Sequence, residues 1–341
     1  MGRVVLVTGV ADQLGAEVAR ALSTDPKVDR VVGVDIVPPH GDLGAVRVVR
    51  ADIRHPVIAD LLAAEGVDTV LHMNVRAAPS RTGGRGASKE TNVIGTMQLL
   101  AACQRAAAVR RLVLMSSTAV YGASPRSPAM FSEESAPEGL QRSGYAKDCA
   151  EVEGYVRGFS RRRPDVSLAV LRCADVLAGD LSSPLARYLQ LPAIPTVLGF
   201  DPRLQLLHRD DALQVLHRAA VHDVAGTFNV AGAGVLTLSQ LVRRLGRPAF
   251  PVPGFGVEVV GRALRRTSGI DLSADQVALL TYGRVVDTTA LRERFGYQPR
   301  WSTARTLDDF ATTTGIGPLS PERVRRVERG LVTGLAGRGT A

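Results

Sequence analysis

Long hydrophobic runs are absent from this 341-residue sequence. No uninterrupted apolar segment reaches the ~18–20 residues that cross a bilayer, and Val4–Val7 is too short for the hydrophobic region of a signal peptide. Hydrophobic residues still make up 45% of the chain and charged residues 22%, the balance of a globular protein with a buried core. We therefore expect a cytoplasmic protein without integral membrane association.

Cysteine is scarce as well. Cys103, Cys149 and Cys173 are the only three, and no two of them have the C-x-x-C spacing of zinc and redox sites. A disulfide framework is therefore excluded, which fits a reducing compartment, and no metal site is predicted.

Lysine occurs only at positions 27, 89 and 147, so arginine carries the net charge of +9. Neither zinc-finger spacing nor an aromatic-rich RNA-binding motif accompanies the scattered arginines, and nucleic-acid binding is not predicted. Solvated helix faces explain the surplus best, with attraction of an anionic ligand as the second interpretation. The basic segment Pro321–Ala336 is typical of a solvated terminal helix; attachment to a membrane surface is the weaker interpretation.

Short β-branched runs alternate with helical patterns up to about residue 175. Such alternation is typical of βαβ units, and the nearly continuous apolar strands indicate a parallel sheet covered on both faces. We predict a doubly wound, Rossmann-type α/β domain over residues 1–175 and a smaller mixed α/β lobe with a basic tail over residues 176–341, where prolines and glycines cluster. The predicted strands are Val4–Thr8, Arg30–Asp35, Val46–Arg50, Thr69–Met73, Arg111–Ser116 and Ser167–Arg172, and the predicted helices of the first domain are Leu14–Leu22, Pro56–Glu65, Glu90–Ala107 and Tyr145–Ser160.

A glycine-containing turn joins the first predicted strand to the first predicted helix, with the sequence T-G-V-A-D-Q-L-G at residues 8–15. Gly9 permits a tight turn, and Gly15 lets the helix approach the sheet, so that a pyrophosphate can rest on the helix N-terminus. Asp12 stands where a further glycine is usual; its carboxylate could cap the helix but repels an anion. The residues of this turn predicted to contact a dinucleotide are Gly9, Asp12, Gln13, Leu14 and Gly15.

Acidic residues follow the next two strands. Asp35 lies 20 residues after Gly15, where a carboxylate accepts hydrogen bonds from ribose hydroxyls and repels a 2′-phosphate. This predicts NAD rather than NADP. Asp52 places a second acid at the edge where a doubly wound sheet opens its crevice. The residues predicted to contact NAD at these two strand ends are Asp35, Ile36, Asp52 and Ile53.

Several ordered motifs resemble the extended short-chain dehydrogenase/reductases. They are V-T-G at 7–9, A-D-I-R at 51–54, E-T-N-V-I-G-T at 90–96, L-M-S-S-T-A-V-Y-G at 114–122, L-R-C-A-D-V at 171–176, Q-L-L-H-R-D-D at 205–211, G-T-F-N-V at 226–230 and F-G-Y-Q-P at 295–299. Within that family the chain is similar to NAD-dependent epimerases and dehydratases of nucleotide sugars, particularly actinobacterial UDP-glucose 4-epimerase-like proteins.

The resemblance implies an active site and its substrate class, an anionic nucleotide-linked sugar. Tyr145, in S-G-Y-A-K, matches the general base, and Ser117 matches the serine that hydrogen-bonds the same substrate oxygen. Asn92 matches an asparagine that orders the site. The resemblance also assigns Asn74, Asn92, Ser116 and Tyr145 to NAD binding, and Thr118, Asp175 and Arg203 to the substrate.

Three positions depart from the family pattern. Leu204 takes the place of a basic residue that several family members use on the nucleotide, and the neighbouring Arg203 is predicted to substitute for it. Cys149 occupies the place of a lysine four residues after Tyr145. Lys147 points about 200° round the helix from Tyr145 at ~100° per residue, so a replacement charge has to come from Lys27, Lys89 or an arginine. A thiol is neutral, and we interpret Cys149 as a buried helix residue rather than a nucleophile. Asp175 stands where an asparagine is usual, and its carboxylate repels a diphosphate.

Two functions fit these observations. The first is an NAD-dependent epimerase, dehydratase or reductase. The alternative is a dinucleotide-binding sensor or scaffold with weak or no turnover, which Asp12, Cys149 and Asp175 favour. The resemblance further implies a homodimer in which helices 90–107 and 145–160 pair across a twofold axis.

Overall fold

The computed structural model describes residues 2–75, 84–136, 144–181, 183–268, 272–315 and 317. The basic helix predicted at Pro321–Ala336 lies outside these residues. In the described ranges, no helix is both long and apolar enough to span a membrane.

The strands are β1 (Arg3–Thr8), β2 (Val28–Asp35), β3 (Arg47–Arg50), β4 (Thr69–His72), β5 (Arg111–Ser117), β6 (Ser167–Cys173), β7 (Asp175–Leu177), β8 (Ile194–Val197), β9 (Arg203–Leu204), β10 (Leu206–His208), β11 (Gly226–Val230), β12 (Leu236–Thr237) and β13 (Ala249–Val252). The α-helices are α1 (Gln13–Ser23), α2 (Val57–Glu65), α3 (Gly84–Lys89), α4 (Gly95–Arg105), α5 (Tyr145–Arg162), α6 (Pro184–Leu189), α7 (Arg209–Val221), α8 (Leu238–Arg244), α9 (Val257–Ser268), α10 (Ala274–Tyr282), α11 (Thr289–Glu293) and α12 (Thr303–Thr314).

Seven parallel strands form the large sheet, in the order β11-β6-β5-β4-β1-β2-β3. The chain moves outward from β1 to β3 and then returns to add β4 on the other side of β1. Because right-handed crossovers in opposite directions place their helices on opposite faces, a crevice opens at the carboxyl ends of β1 and β4. The sheet confirms the predicted doubly wound α/β class.

The predicted elements of the first domain agree with the structure to within about two residues at most ends. The exception is the helix predicted over Glu90–Ala107, which begins with a π-helical turn at Glu90–Ile94 before α4. A Cβ at Gly95 would overlap the side chain of Ile53, so glycine permits close packing where the two helical forms meet. The wider turn leaves Asn92 only 1% exposed. π-Helical turns are frequent at functional sites.

Smaller sheets follow in the second part of the chain: the pairs β10-β7, β12-β9 and β13-β8. A separate apolar cluster surrounds them, with Leu177, Tyr188, Leu206, Leu241 and Phe310 among its buried members. The chain nevertheless returns to the large sheet, because β11 pairs with β6. The division at residue 175 therefore stays a prediction about folding units.

A buried hydrogen-bonded chain ties β1 to the π-helical turn through His72. The His72 ring lies 2.8 Å from Thr8 Oγ1 at Nδ1 and 2.8 Å from Thr96 Oγ1 at Nε2. The Thr96 hydroxyl donates to the Asn92 carbonyl, so it accepts from Nε2–H of His72. Burial disfavours a charged ring, so Nδ1 carries no proton and accepts from the Thr8 hydroxyl, which itself accepts from the Met73 amide. These contacts define a neutral imidazole with its proton on Nε2.

This neutral imidazole predicts acid lability. Burial lowers the pKa of His72 from 6.5 to about 4, so the unfolded chain binds a proton that the folded chain rejects. Proton uptake by the unfolded chain therefore lowers the free energy of unfolding by about 3 kcal/mol as the pH falls from ~6.5 to ~4, and has no effect above that window. We expect the free energy of unfolding, measured by urea titration across that window, to depend less on pH in His72→Gln than in the parent protein. Parallel pH dependences would contradict the assignment.

Candidate active site

The turn between β1 and α1 has the geometry that its glycines predict. Gly9 has a φ of +83°, in the left-handed region. A Cβ at Gly15 would overlap the carbonyl oxygen of Gly9, so only glycine allows α1 to start this close to the turn. Asp12 occupies the N-cap position of α1, but its side chain makes no capping hydrogen bond. The N-terminus of α1 therefore faces the crevice with a positive dipole end suited to an anion.

Asp35 lies directly across from this turn at the end of β2. Its carboxylate accepts hydrogen bonds from the Ala11 amide at 3.1 Å and the Ile36 amide at 2.8 Å. The side chain is only 4% exposed. Asp35 thus fixes the turn to the second strand while keeping a buried negative charge at the crevice.

The other residues predicted to contact NAD lie around this edge. A Cβ on Gly9 would come within 3.4 Å of Asn74 Cα, which places Asn74 beside the turn. Asp52 pairs with Arg54 at 2.6 Å; burial opposes its charge, but this partner keeps the pKa of Asp52 below its ordinary value. Ile53 is buried. Asp52 is therefore an ionised, partnered group.

Gln13 connects the turn to the second part of the chain. Its amide nitrogen donates to Asp180 at 2.6 Å, and Asp180 also accepts from Arg209 at 2.5 Å. Neither Asp180 nor Arg209 was predicted as a site residue, since a lone acid after β7 and an arginine at the start of α7 carry no motif.

Tyr145 and Ser117 are brought together although 28 residues separate them in the chain. Ser117 ends β5, and Tyr145 begins α5. Ser117 and Cys149 both act on the phenol of Tyr145. Burial raises the pKa of Tyr145 well above its ordinary value; Cys149 adds to the rise, and Ser117 opposes it. The phenol is therefore protonated at neutral pH.

Cys149 is 1% exposed and belongs to the large apolar core. Burial also raises the pKa of its thiol, so it is un-ionised and inert. This supports the interpretation as a buried helix residue. The ammonium of Lys147 lies 3.9 Å from Glu151 and that of Lys89 lies 3.6 Å from the same carboxylate.

Two charged groups that face Tyr145 come from distant parts of the chain. Asp175 begins β7, and burial raises its pKa. Arg284, which follows α10, interacts electrostatically with Tyr145, Cys149 and Asp175. Arg284 was not predicted from the sequence; its one signal is its position three residues before Asp287, inside the stretch that resembles the family.

The start of α5 is held by two carboxylates. Asp275 accepts from the Ala146 amide at 3.1 Å, so an acid of α10 lies at the N-terminus of α5. Asp148 is 1% exposed and accepts from Asn92 Nδ2 at 3.1 Å. Asn92 therefore ties the π-helical turn to the first turn of α5.

Three predicted site residues direct their side chains elsewhere. Ser116 lies on the opposite face of β5 from Ser117 and donates to Glu153 at 2.7 Å. Thr118 is buried in a short 3₁₀ turn. Arg203 is exposed and donates to the Ala129 carbonyl at 3.0 Å. The hydroxyl of Ser116 is thus engaged by Glu153 rather than by the crevice.

Known proteins share this architecture and sequence pattern. Residues 5–231 match the pattern of the NAD dependent epimerase/dehydratase family. The uncharacterized protein Rv0501 of Mycobacterium tuberculosis is 46% identical over 341 residues, covering 98% of this chain and 90% of the relative.

Solved structures agree on the fold. UDP-glucose 4-epimerase of Thermotoga maritima, solved with UDP-glucose, superposes with a TM-score of 0.68 at 18% identity and covers 91% of this chain and 98% of its own. The dTDP-glucose 4,6-dehydratase DesIV of Streptomyces venezuelae, solved with NAD, has a TM-score of 0.67 at 24% identity, covering 96% and 98%. With the family pattern across most of the chain, the protein belongs to the NAD-dependent epimerase/dehydratase family of extended short-chain dehydrogenase/reductases.

Proposed function

We propose that the protein is an NAD-dependent epimerase or dehydratase of a nucleotide-linked sugar, in which Tyr145 transfers a proton and Ser117 holds the same sugar oxygen. The observation that carries the proposal is that Ser117, at the carboxyl end of β5, acts on the phenol of Tyr145, at the start of α5, and lowers its pKa. Since β4 alone separates β5 from β1, this pair lies about 10 Å from the glycine turn.

The crevice fits NAD on the chain's own features. Three features of the crevice suit a pyrophosphate and an unphosphorylated ribose. They are the close packing of α1 against the turn that Gly15 allows, the dipole of α1, and the buried acid Asp35. Bound NAD supplies the hydride acceptor and donor for a transient oxidation of the sugar.

Tyr145 and Ser117 then handle the proton. Ser117 lowers the pKa of the phenol and so favours its ionised form, which can withdraw a proton from a sugar hydroxyl. Burial works against that form, so proton withdrawal should accelerate with rising pH. Cys149, in the place of the family's lysine, adds no positive charge.

Purified protein tests the proposal directly. Released NAD is measured by absorbance after denaturation, and turnover is then assayed with UDP- and dTDP-linked sugars. NAD together with conversion of a nucleotide sugar supports the enzyme. Protein that neither retains nor binds NAD overturns it.

A dinucleotide-binding sensor or scaffold is the second candidate. It is favoured by the high pKa of Tyr145 and by the carboxylate of Asp175 beside it, which both oppose the proposed chemistry. NAD binding with no turnover of any nucleotide sugar, at any pH up to the onset of unfolding, would select this function.

Asp35 should govern the choice between NAD and NADP. Replacing its charge in Asp35→Asn keeps an oxygen acceptor for the Ala11 amide, so the turn is retained. We expect NAD to bind roughly 10–100-fold more weakly, since hydrogen bonds to charged groups contribute about 1.5–3 kcal/mol, and NADP to lose its disadvantage. Calorimetric titration with both dinucleotides measures this. Tighter binding of NADP than NAD by the parent protein would refute the assignment.

We also propose a homodimer through α4 and α5. Of the apolar residues along the predicted helix at 90–107, Val93 and Leu100 are buried, whereas Met97 is 37% exposed. Ile94 and Tyr155 are exposed as well, at 41% and 40%. These apolar side chains support an interface, with a second copy covering them.

A further inference from the structure

A short segment, residues 174–181, crosses the carboxyl edge of the large sheet, and we call it the strap. It leaves β6 after Cys173, which pairs across the sheet with Ser117 of the proposed catalytic pair. Its far end reaches the start of α1, where Asp180 accepts a hydrogen bond from the side-chain amide of Gln13 at 2.6 Å. The strap therefore runs from the Ser117 end of the crevice to the glycine turn.

The path between these two ends covers the crevice. The strap leaves β6, whereas α1 follows β1, and β5 and β4 lie between those two strands in the sheet. At ~4.8 Å from each strand to the next, the distance to be crossed is about 14 Å. The residues from 174 to 180 can span about 23 Å when extended, so the strap passes over the carboxyl ends of β5 and β4. NAD is proposed to bind at this edge, and a dinucleotide has to pass the strap on its way in or out.

Side chains of α1 and α7 fasten the far end of the strap, in a cluster that we call the clasp: Gln13, Glu17, Asp180 and Arg209. Because β7 pairs with β10, the strap and Arg209, the first residue after β10, leave the small sheet side by side. The guanidinium of Arg209 donates to Asp180 at 2.5 Å and lies 3.6 Å from Glu17. Gln13 donates to the same two carboxylates, at 2.6 and 3.1 Å. Two donors thus join an acid of the strap to an acid of α1.

The two sides of the strap are held by different forces. Toward α12, Thr313 packs so closely on Gly179 that a Cβ there would overlap it. Toward α1, the side chain of Asp180 is 49% exposed and that of Arg209 is 27% exposed. Contacts between partly exposed charged groups are individually weak, because water competes for them. The strap is therefore backed by tight packing on α12 and fastened to α1 by contacts that water can replace.

We propose that the clasp is a gate for the dinucleotide: while Gln13 and Arg209 bind Asp180 the strap closes the crevice, and its release lets NAD enter or leave. The proposal rests on the NAD-dependent function proposed above. The clasp closes to the same extent with and without the dinucleotide, so it slows entry and exit by the same factor. Loss of the clasp should raise both rate constants and leave the Kd nearly unchanged.

The rates are measured by stopped flow from the fluorescence of NADH. Release is followed when NADH-loaded protein is mixed with excess NAD, and entry is followed as a function of NADH concentration. We expect Asp180→Ala to raise both rate constants roughly tenfold, the effect of losing hydrogen bonds to a charged group. Asp180→Asn keeps an oxygen acceptor for both donors, so its rates should lie much closer to those of the parent protein. Arg209→Met should raise both rates by a smaller factor than Asp180→Ala, since Gln13 still holds Asp180.

Asp165→Ala is the matched control. The carboxylate of Asp165 is also 49% exposed and pairs with an arginine, Arg163, at 2.8 Å, but it precedes β6 at the amino edge of the sheet. Its loss should leave both rate constants unchanged.

The outcomes separate the gate from the proposed function. Unchanged rates in folded Asp180→Ala would overturn the gate and leave the function standing. A change in one rate alone, and hence in the Kd, would also overturn it and show that Asp180 acts on the bound dinucleotide. Faster entry and exit in a protein that turns over no nucleotide sugar would uphold the gate and refute the enzymatic function. A parent protein that binds no dinucleotide would refute both.

Discussion

Replacing Tyr145 with phenylalanine is expected to lower kcat roughly 10²–10⁴-fold, the usual contribution of a positioned acid–base group. The substitution removes only the phenol oxygen, so the ring should keep its place at the start of α5 and NAD should bind as before. Turnover of the nucleotide sugar and NAD affinity are measured on the same preparation.

Tyr155→Phe is the matched control for that experiment, because Tyr155 lies on the same helix but is 40% exposed. It should retain full turnover. Activity of Tyr145→Phe within a few-fold of the parent protein would contradict the assignment of the proton-transferring residue.

Removing the buried carboxylate of Glu153 is expected to destabilise the fold by roughly 3–5 kcal/mol, because the Arg172 guanidinium then stays buried without its partner. Glu153 is 2% exposed and lies 2.7 Å from Arg172, whose other side donates to the Tyr121 hydroxyl at 2.8 Å. Although burial disfavours its charge, the Glu153 hydrogen bonds raise the pKa of Arg172, which therefore stays charged. Urea unfolding of Glu153→Ala, followed by circular dichroism, measures the loss.

Two further variants serve as a control and as a rescue for the Glu153→Ala measurement. Glu151→Ala, two residues earlier on α5, removes only partly exposed pairs at 3.6 and 3.9 Å and should change the free energy of unfolding by at most ~1 kcal/mol. The double substitution Glu153→Leu with Arg172→Met should recover much of the loss, since an apolar pair of similar volume needs no ionic partner. Equal destabilisation by Glu151→Ala and Glu153→Ala would show that burial of the pair is unimportant.

The order of strands and helices in the first domain could be predicted from periodicity. Buried parallel strands appear in the sequence as short apolar runs, and the helices appear as apolar residues that recur about every 3.6 positions. Local patterns also located the turn at Gly9 and Gly15 and the acid Asp35 after β2, whereas Ser117 and Tyr145 were predicted from the family resemblance. Periodicity did not predict the π-helical turn at Glu90–Ile94, which adjoins a close contact between Gly95 and Ile53, two residues that lie far apart in the sequence.

The sequence by itself determined the fold class and the family. Only the tertiary structure decided which ionisable groups act on Tyr145. Asp175 belongs to a different segment, and its effect on the phenol depends on distance and burial rather than on order along the chain. The tertiary structure also places the Ser116 side chain against a buried ion pair, because neighbouring strand residues face opposite ways. It places Lys147 on the outer face of α5, because helix residues two apart do not share a side.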